Sequence, residues 1–270
     1  MSERTGILAL SPLKFVLASV RFAPWPIVSK KIDEIQDKLR DILPLVSSIQ
    51  QLQTAQEQQF IVDGASPNVW MLMSADRSTG MQVTADQVLF FTRKYNRYDG
   101  FKQLLERGLG TLLEHMQFMD VLNAGSRYVD CIEVSDGEQF SQYIAESLLP
   151  AQVPGYTNIG GETLSVFQLD DSELRVRCIT APNVPDIPVD LFSVVAFSAD
   201  PSKPIQIELL KSRRFLLDID AVKQFQEASR MRADEVLQLL DRLHKSANAF
   251  FRDQNVCTEH AFRVWKGGEA

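Results

Sequence analysis

The sequence predicts an α+β fold in which two strand-helix-strands-helix units, residues 1–122 and 123–270, form a curved, mainly antiparallel sheet with helices on one face. Three observations predict it. Runs rich in β-branched and aromatic residues alternate with stretches whose apolar residues recur about every 3.6 positions. The same order of elements occurs twice. Within each pass the strands follow one another through short turns, which favours antiparallel neighbours, and such a sheet tolerates one covered and one open face.

Phe15 to Phe22 reads as the first strand. Ile27, Val28, Ile32, Ile35, Leu39 and Ile42 then gather on one face of a helix, with Pro26 suited to its first turn and Pro44 stopping it. The glutamine-rich stretch from Gln50 to Gln59 lacks an apolar stripe and reads as a loop, or else a solvated extension of the helix, ahead of a strand-bearing region, Phe60 to Thr92. There Val69–Ser74 and Met81–Phe91 carry strand composition, with turn residues at Asp76, Ser78 and Gly80 and again near Ala85 and Asp86. Tyr98 to Phe118 is a long amphipathic helix. Gly108 and Gly110 in its middle predict either a close approach to a neighbouring element or a kink.

The second pass runs through a strand at Arg127–Val134, a helix at Glu138–Leu149, strands between Thr163 and Ile219, and a helix at Ala233–Phe251. Leu164–Leu169, Leu174–Thr180, Leu191–Ser198, Ile205–Leu209 and Phe215–Ile219 are its expected strands. Pro182, Pro185 and Pro188 cannot donate ladder hydrogen bonds, so Ala181–Asp190 is expected as an extended surface connection or sheet edge.

Composition bounds the function. The chain has 270 residues, 45% hydrophobic and 23% charged, an ordinary globular balance with ample core. A net charge of −7 opposes long-range attraction to phosphate backbones and anionic membranes, so nucleic acid is disfavoured as a partner. Three widely spaced cysteines, Cys131, Cys178 and Cys257, suggest buried thiols in a reducing compartment. With neither a secretory leader pattern nor a membrane-length apolar stretch, a cytoplasmic protein is expected.

No motif for catalysis, phosphate binding or metal binding is found, so a non-enzyme without cofactor or metal is expected. His115, His244 and His260 lack ligand spacing and read as surface or interface residues. Asp218 and Asp220 flank Ile219 on a strand and share a face. They either hold a divalent cation or meet solvent and neighbouring arginines. Asp170 and Asp171 read as a hairpin turn, and Arg127 either as a buried, paired arginine tying the two units together or as a residue lining a cavity. Lys211, Arg213 and Arg214 form the densest basic cluster, joined at lower density by Arg175 and Arg177. Arg175, Arg177, Arg213 and Arg214 are the candidate partner-binding residues, against the alternative of ordinary pairing with Glu173 and Glu208.

Several stretches resemble a sporadically distributed family of uncharacterised bacterial proteins of about this length. They are Leu10-Ser11-Pro12-Leu13 leading into Val20-Arg21-Phe22, Trp70–Asp76 with Met81-Gln82-Val83, Tyr95–Phe101, Gly125–Asp130, Leu217-Asp218-Ile219-Asp220, and His244–Trp265. The family pattern has leucine at Ser126, asparagine at Asp130 and tryptophan at Asp99. The element order is also similar to the duplicated TATA-binding-protein saddle and to the helix-grip fold. The family's scattered distribution implies an accessory or defence-type role. The expected function is therefore a non-catalytic adaptor, inhibitor or neutralising partner that holds another protein, with homo-oligomerisation left open. Two alternatives stand beside it: a helix-grip pocket for a small apolar ligand, and a nucleic-acid-binding saddle.

Overall fold

The computed structural model describes residues 4, 6–50, 68–203 and 207–267. In chain order the elements are β1 (Leu13–Phe22), α1 (Ile32–Leu39), β2 (Leu45–Gln50), β3 (Asn68–Met73), β4 (Thr79–Val83), β5 (Gln87–Thr92) and α2 (Tyr98–Met116). They continue as β6 (Met119–Glu133), β7 (Glu162–Leu169), β8 (Ser172–Ile179), α3 (Phe192–Ser198), β9 (Arg214–Met231), α4 (Ala233–Phe251) and α5 (Glu259–Trp265). A 3-10 turn at Pro26–Lys30 leads into α1.

All nine strands form one sheet in the order β2-β3-β4-β5-β1-β6-β9-β8-β7, every pair antiparallel. The fold is α+β. β5 and β9, the last strands of the two passes, each return beside the first strand of their own pass, and β1 meets β6 at the centre.

Alternation along the strands divides the sheet into two faces. Val16, Ala18, Val20 and Phe22 of β1, with Tyr128 and Ile132 of β6 and Leu217 and Ile219 of β9, pack with α1, α2, α4 and α5. Phe15, Leu17, Phe91, Val129 and Leu216 point the other way. α2 and α4 keep the boundaries their apolar periodicity predicts to within two residues. Gly108 lets α2 approach the sheet, since a Cβ there would lie 2.3 Å from the Phe90 ring, whereas Gly110 faces open space. Close approach explains the first glycine.

Several expectations need correction. Leu191–Ser198 is not a strand: Leu191 belongs to a 3-10 turn at Val189–Leu191 and α3 follows, with Leu191, Val194 and Ser198 buried at helical spacing. A short apolar run has too few periods to separate strand from helix. α3 and Ile187, within the proline-bearing connection, cover Phe15, Leu17 and Phe91, so that connection lies across the second face, beneath which the sheet is partly closed. Ile205–Leu209 also departs from expectation: Ile205 and Gln206 lie outside the described residues, and Leu209 makes only an isolated bridge to Pro185.

Glu138–Leu149 forms two 3-10 turns, Phe140–Gln142 and Glu146–Leu148, instead of a helix. Its backbone is drawn toward the C-terminal segment, with Ala145 N donating to Val256 O at 2.8 Å and Thr258 N to Tyr143 O at 3.0 Å. β9 runs twelve residues beyond the expected Ile219, and α5 was not expected. Residues 51–67, which include most of the glutamine-rich stretch and the start of the Phe60–Thr92 region, lie outside the described residues.

Candidate functional site

β6 places Tyr128 and Asp130 two residues apart, so both side chains leave the sheet toward α4. α4 answers with His244, Ala247, Asn248 and Phe251, one turn and two turns apart on a single face. Between them lies a cavity of about 850 Å³, closed at its sides by Tyr95 and Tyr98 before and at the start of α2 and by the N-terminal segment Gly6–Ala9. That segment is strapped down: Leu10 N donates to Trp265 O at 2.7 Å, and Arg252 donates to Gly6 O at 3.2 Å and also to Arg4 O.

The cavity wall is aromatic with a few polar atoms. Tyr98 stacks on His244 with ring centroids 3.6 Å apart and donates to Asp241 at 2.5 Å, and Asp241 in turn pairs with Lys102 at 2.6 Å. Tyr128 OH and His244 Nδ1 are hydrogen-bonded at 2.6 Å, and Tyr95 meets the Tyr128 ring edge-on. Burial holds His244 down at about 4, so its ring is neutral at physiological pH, and burial likewise raises Tyr128 above the usual phenol range.

Asp130 is the outlier. Its residue is 3% exposed and lines the cavity, and its carboxyl has no hydrogen bond among the described residues. Burial, reinforced by Asp218 across the sheet, pushes it up to about 8. Its oxygens are not sealed in the core but open onto a ligand-sized space, where a molecule in the cavity can reach them.

The opposite face carries the charged residues singled out from sequence. Asp218 and Asp220 do share a face, but Asp218 is taken up by Arg127, which grips it with two bonds of 2.8 Å and reaches Asp190 at 2.5 Å. The arginine is buried and paired as expected, although it joins β6 to β9 within the second pass and does not tie the two passes together. Asp220 is pushed up to about 6 by burial and opens into a small polar cleft of about 190 Å³ with Ser19, Asn123, Gly125 and Gln224. Among the described residues no group of three or more histidines, cysteines or acids is arranged to hold a metal.

Arg175 and Arg177 lie side by side on β8, facing the same way as Asp218. Arg175 pairs with Glu173 at 3.0 Å. Arg177 lies 3.5 Å from Glu162, 3.7 Å from Asp190 and 3.8 Å from Asp218. Arg213 pairs with Asp136 and donates to Val134 O at 2.6 Å, while Arg214 pairs with Glu133 at 2.7 Å and Glu208 at 3.6 Å. Each of the four thus has a carboxylate beside it. Asp170 and Asp171 form the β7–β8 hairpin turn, with Asp170 at φ 50°.

His115 lies between α1 and α2 facing Glu34, and His260 pairs with Glu138 at 2.8 Å. The three cysteines are free thiols, Cys178 and Cys257 fully buried and Cys131 partly so. Among the described residues no helix is long and apolar enough to cross a membrane. Comparison of the chain with known protein families, characterised proteins and solved structures finds no match.

Proposed function

We propose that the protein is a non-catalytic binding protein and that what it holds is a small, largely apolar molecule in the cavity between β6 and α4. One observation carries this reading: a ligand-sized cavity lined by Tyr95, Tyr98, Tyr128 and Phe251 contains a buried carboxyl that no described residue satisfies. Small-molecule sites are concave, mostly apolar and aromatic, with few polar groups, one or more of them perturbed. Of the alternatives drawn from sequence, the pocket between sheet and helix is the one this geometry supports best.

The test uses a substitution at the cavity mouth. Asn248 is exposed and lines the cavity, so Asn248→Trp should fill the opening without disturbing the core. In a thermal-shift screen of small amphiphiles, compounds that raise the melting temperature of the wild-type chain should fail to raise that of the variant. A screen in which no compound acts, or in which the variant responds as the wild type does, would count against the cavity.

A second reading keeps the protein partner expected from sequence. β7 ends the sheet, and its exposed Leu164 and Val166 stand beside Arg177 and Arg175 in the β8 register. An open edge with exposed apolar side chains invites a further strand or surface. Charge reversal at Arg175 and Arg213, both with nearly half-exposed side chains, should then weaken co-purification of such a partner at nearly unchanged melting temperature. A retained complex would remove these arginines from the interface. The paired return of β5 and β9 to the first strand of each pass supports reading residues 1–122 and 123–270 as two copies of one unit.

A further inference from the structure

We infer that the cavity takes an amine: a protonated primary amino group seated on the Asp130 carboxylate, with an apolar tail lying along Tyr95, Tyr98, Tyr128 and Phe251. This rests on the reading of the cavity as a ligand site and adds the chemistry of the ligand. The buried carboxyl lines the cavity with no protein donor on it, and an ammonium group supplies several donors and the opposite charge in one step. Three tyrosines and a phenylalanine around it offer ring faces to a cation.

Competing charges in the wall are few and committed. His244 stays neutral. The Arg252 guanidinium is spent on Arg4 O, Gly6 O and Asn248 Oδ1. Arg97 sits at the exposed rim. The groups that act on Asp130 or face it from the packed elements are Asp218 on β9, Tyr128 on its own strand, and Cys257, whose thiol burial keeps protonated; the Arg4 guanidinium beside Cys257 is paired with Glu259 at 2.6 Å and donates to Cys257 O. None of these supplies a cation to Asp130. A carboxylate ligand takes a single hydrogen bond from protonated Asp130 at neutral pH and meets it as a like charge once it ionises, and an alcohol then leaves that charge unanswered.

Proton balance gives the binding a signature. In the empty cavity Asp130 holds its proton at neutral pH, so seating an ammonium group releases that proton to solvent. Affinity for an amine should therefore climb as pH rises toward about 8, and should fall again where the amine itself loses its proton.

The experiment titrates the full chain with octylamine, octanol and octanoate by calorimetry, in two buffers of different ionisation enthalpy. Expected at pH 7 is binding of octylamine with release of about one proton, weaker binding of octanol without release, and weaker binding of octanoate that is lost as pH rises toward about 8. Asp130→Asn, which keeps the shape of the side chain, should weaken octylamine by about 10- to 100-fold and leave octanol within about 2-fold. Equal binding of octylamine and octanol, or no effect of Asp130→Asn on octylamine, would overturn the amine while leaving the cavity as a site for neutral molecules. Preference for octanoate would overturn it as well. If none of the three binds, the cavity reading itself fails.

Discussion

Arg127→Ala should destabilise the protein by about 3 kcal/mol, near the lower end of the range for breaking a buried ion pair by removing one partner. The Arg127 side chain is 12% exposed and that of Asp218 3%, and two bonds of 2.8 Å join them, so the alanine variant strands a buried carboxylate between β6 and β9. Burial opposes the arginine's charge, yet its bonds to Asp218 and Asp190 hold its pKa above the ordinary guanidinium value. Arg177, 3.8 Å from Asp218, offers partial compensation, which places the loss at the lower end. The double variant Arg127→Met with Asp218→Leu should recover most of it, because replacing both partners removes the unpaired charge. Denaturant unfolding of the wild-type chain, the single variant and the double variant measures this. A double variant no more stable than the single one would show that something other than the stranded charge sets the loss.

Asp130→Asn should act in the opposite direction and more strongly as pH rises. An Asp in the unfolded chain titrates near 3.9, while Asp130 in the fold titrates at about 8. Between these values the folded state holds a proton that the unfolded state has released. Stability is therefore full below about pH 4 and falls by up to about 1.4 kcal/mol per pH unit until the folded group ionises. Asp220, at about 6, adds to the same slope over the lower part of the window. Asparagine carries no titration, so the variant should match the wild type near pH 4 and exceed it by several kcal/mol near pH 8. Unfolding curves at pH 4, 6 and 8 test this, and parallel curves for the two proteins would contradict it. A carboxyl kept where it weakens the fold is typical of a site shaped by function.

Much of this was legible in the sequence where periodicity was long. α2 and α4 each have five turns of apolar spacing, and β3 to β5 are separated by turn residues at Asp76, Ser78 and Gly80 and near Ala85 and Asp86. Arg127 was readable as buried and paired because it opens the strand that joins the two passes. Failures came where local signal was short or shared. The apolar run at Leu191–Ser198 fits both periods, and only the covering of Phe15 and Leu17 decides for α3. Residues 138–149 have helical apolar spacing, but their carbonyl and amide groups are claimed by Val256 and Thr258, more than a hundred residues later.

The cavity residues do carry a signal in the sequence. In the strand from Arg127 to Val134, alternation puts Asp130 with Tyr128 and Ile132 on the core-facing side, where a carboxylate is out of place. His244 falls on the α4 stripe between Leu240 and Ala247 by the same rule. Neither residue reveals the cavity, because the space also depends on where Gly6–Ala9 and Tyr95 come to rest, and those contacts are long-range.

The most direct test of the cavity as a binding site is a crystal structure of the chain grown with octylamine. Expected is the amine nitrogen within hydrogen-bonding distance of an Asp130 carboxyl oxygen, about 2.7–2.9 Å for a charge-assisted bond, and the alkyl tail among Tyr95, Tyr98, Tyr128 and Phe251. A cavity filled only by ordered water bridging Asp130 to Tyr128 and His244, with the amine absent or bound elsewhere on the surface, would contradict it.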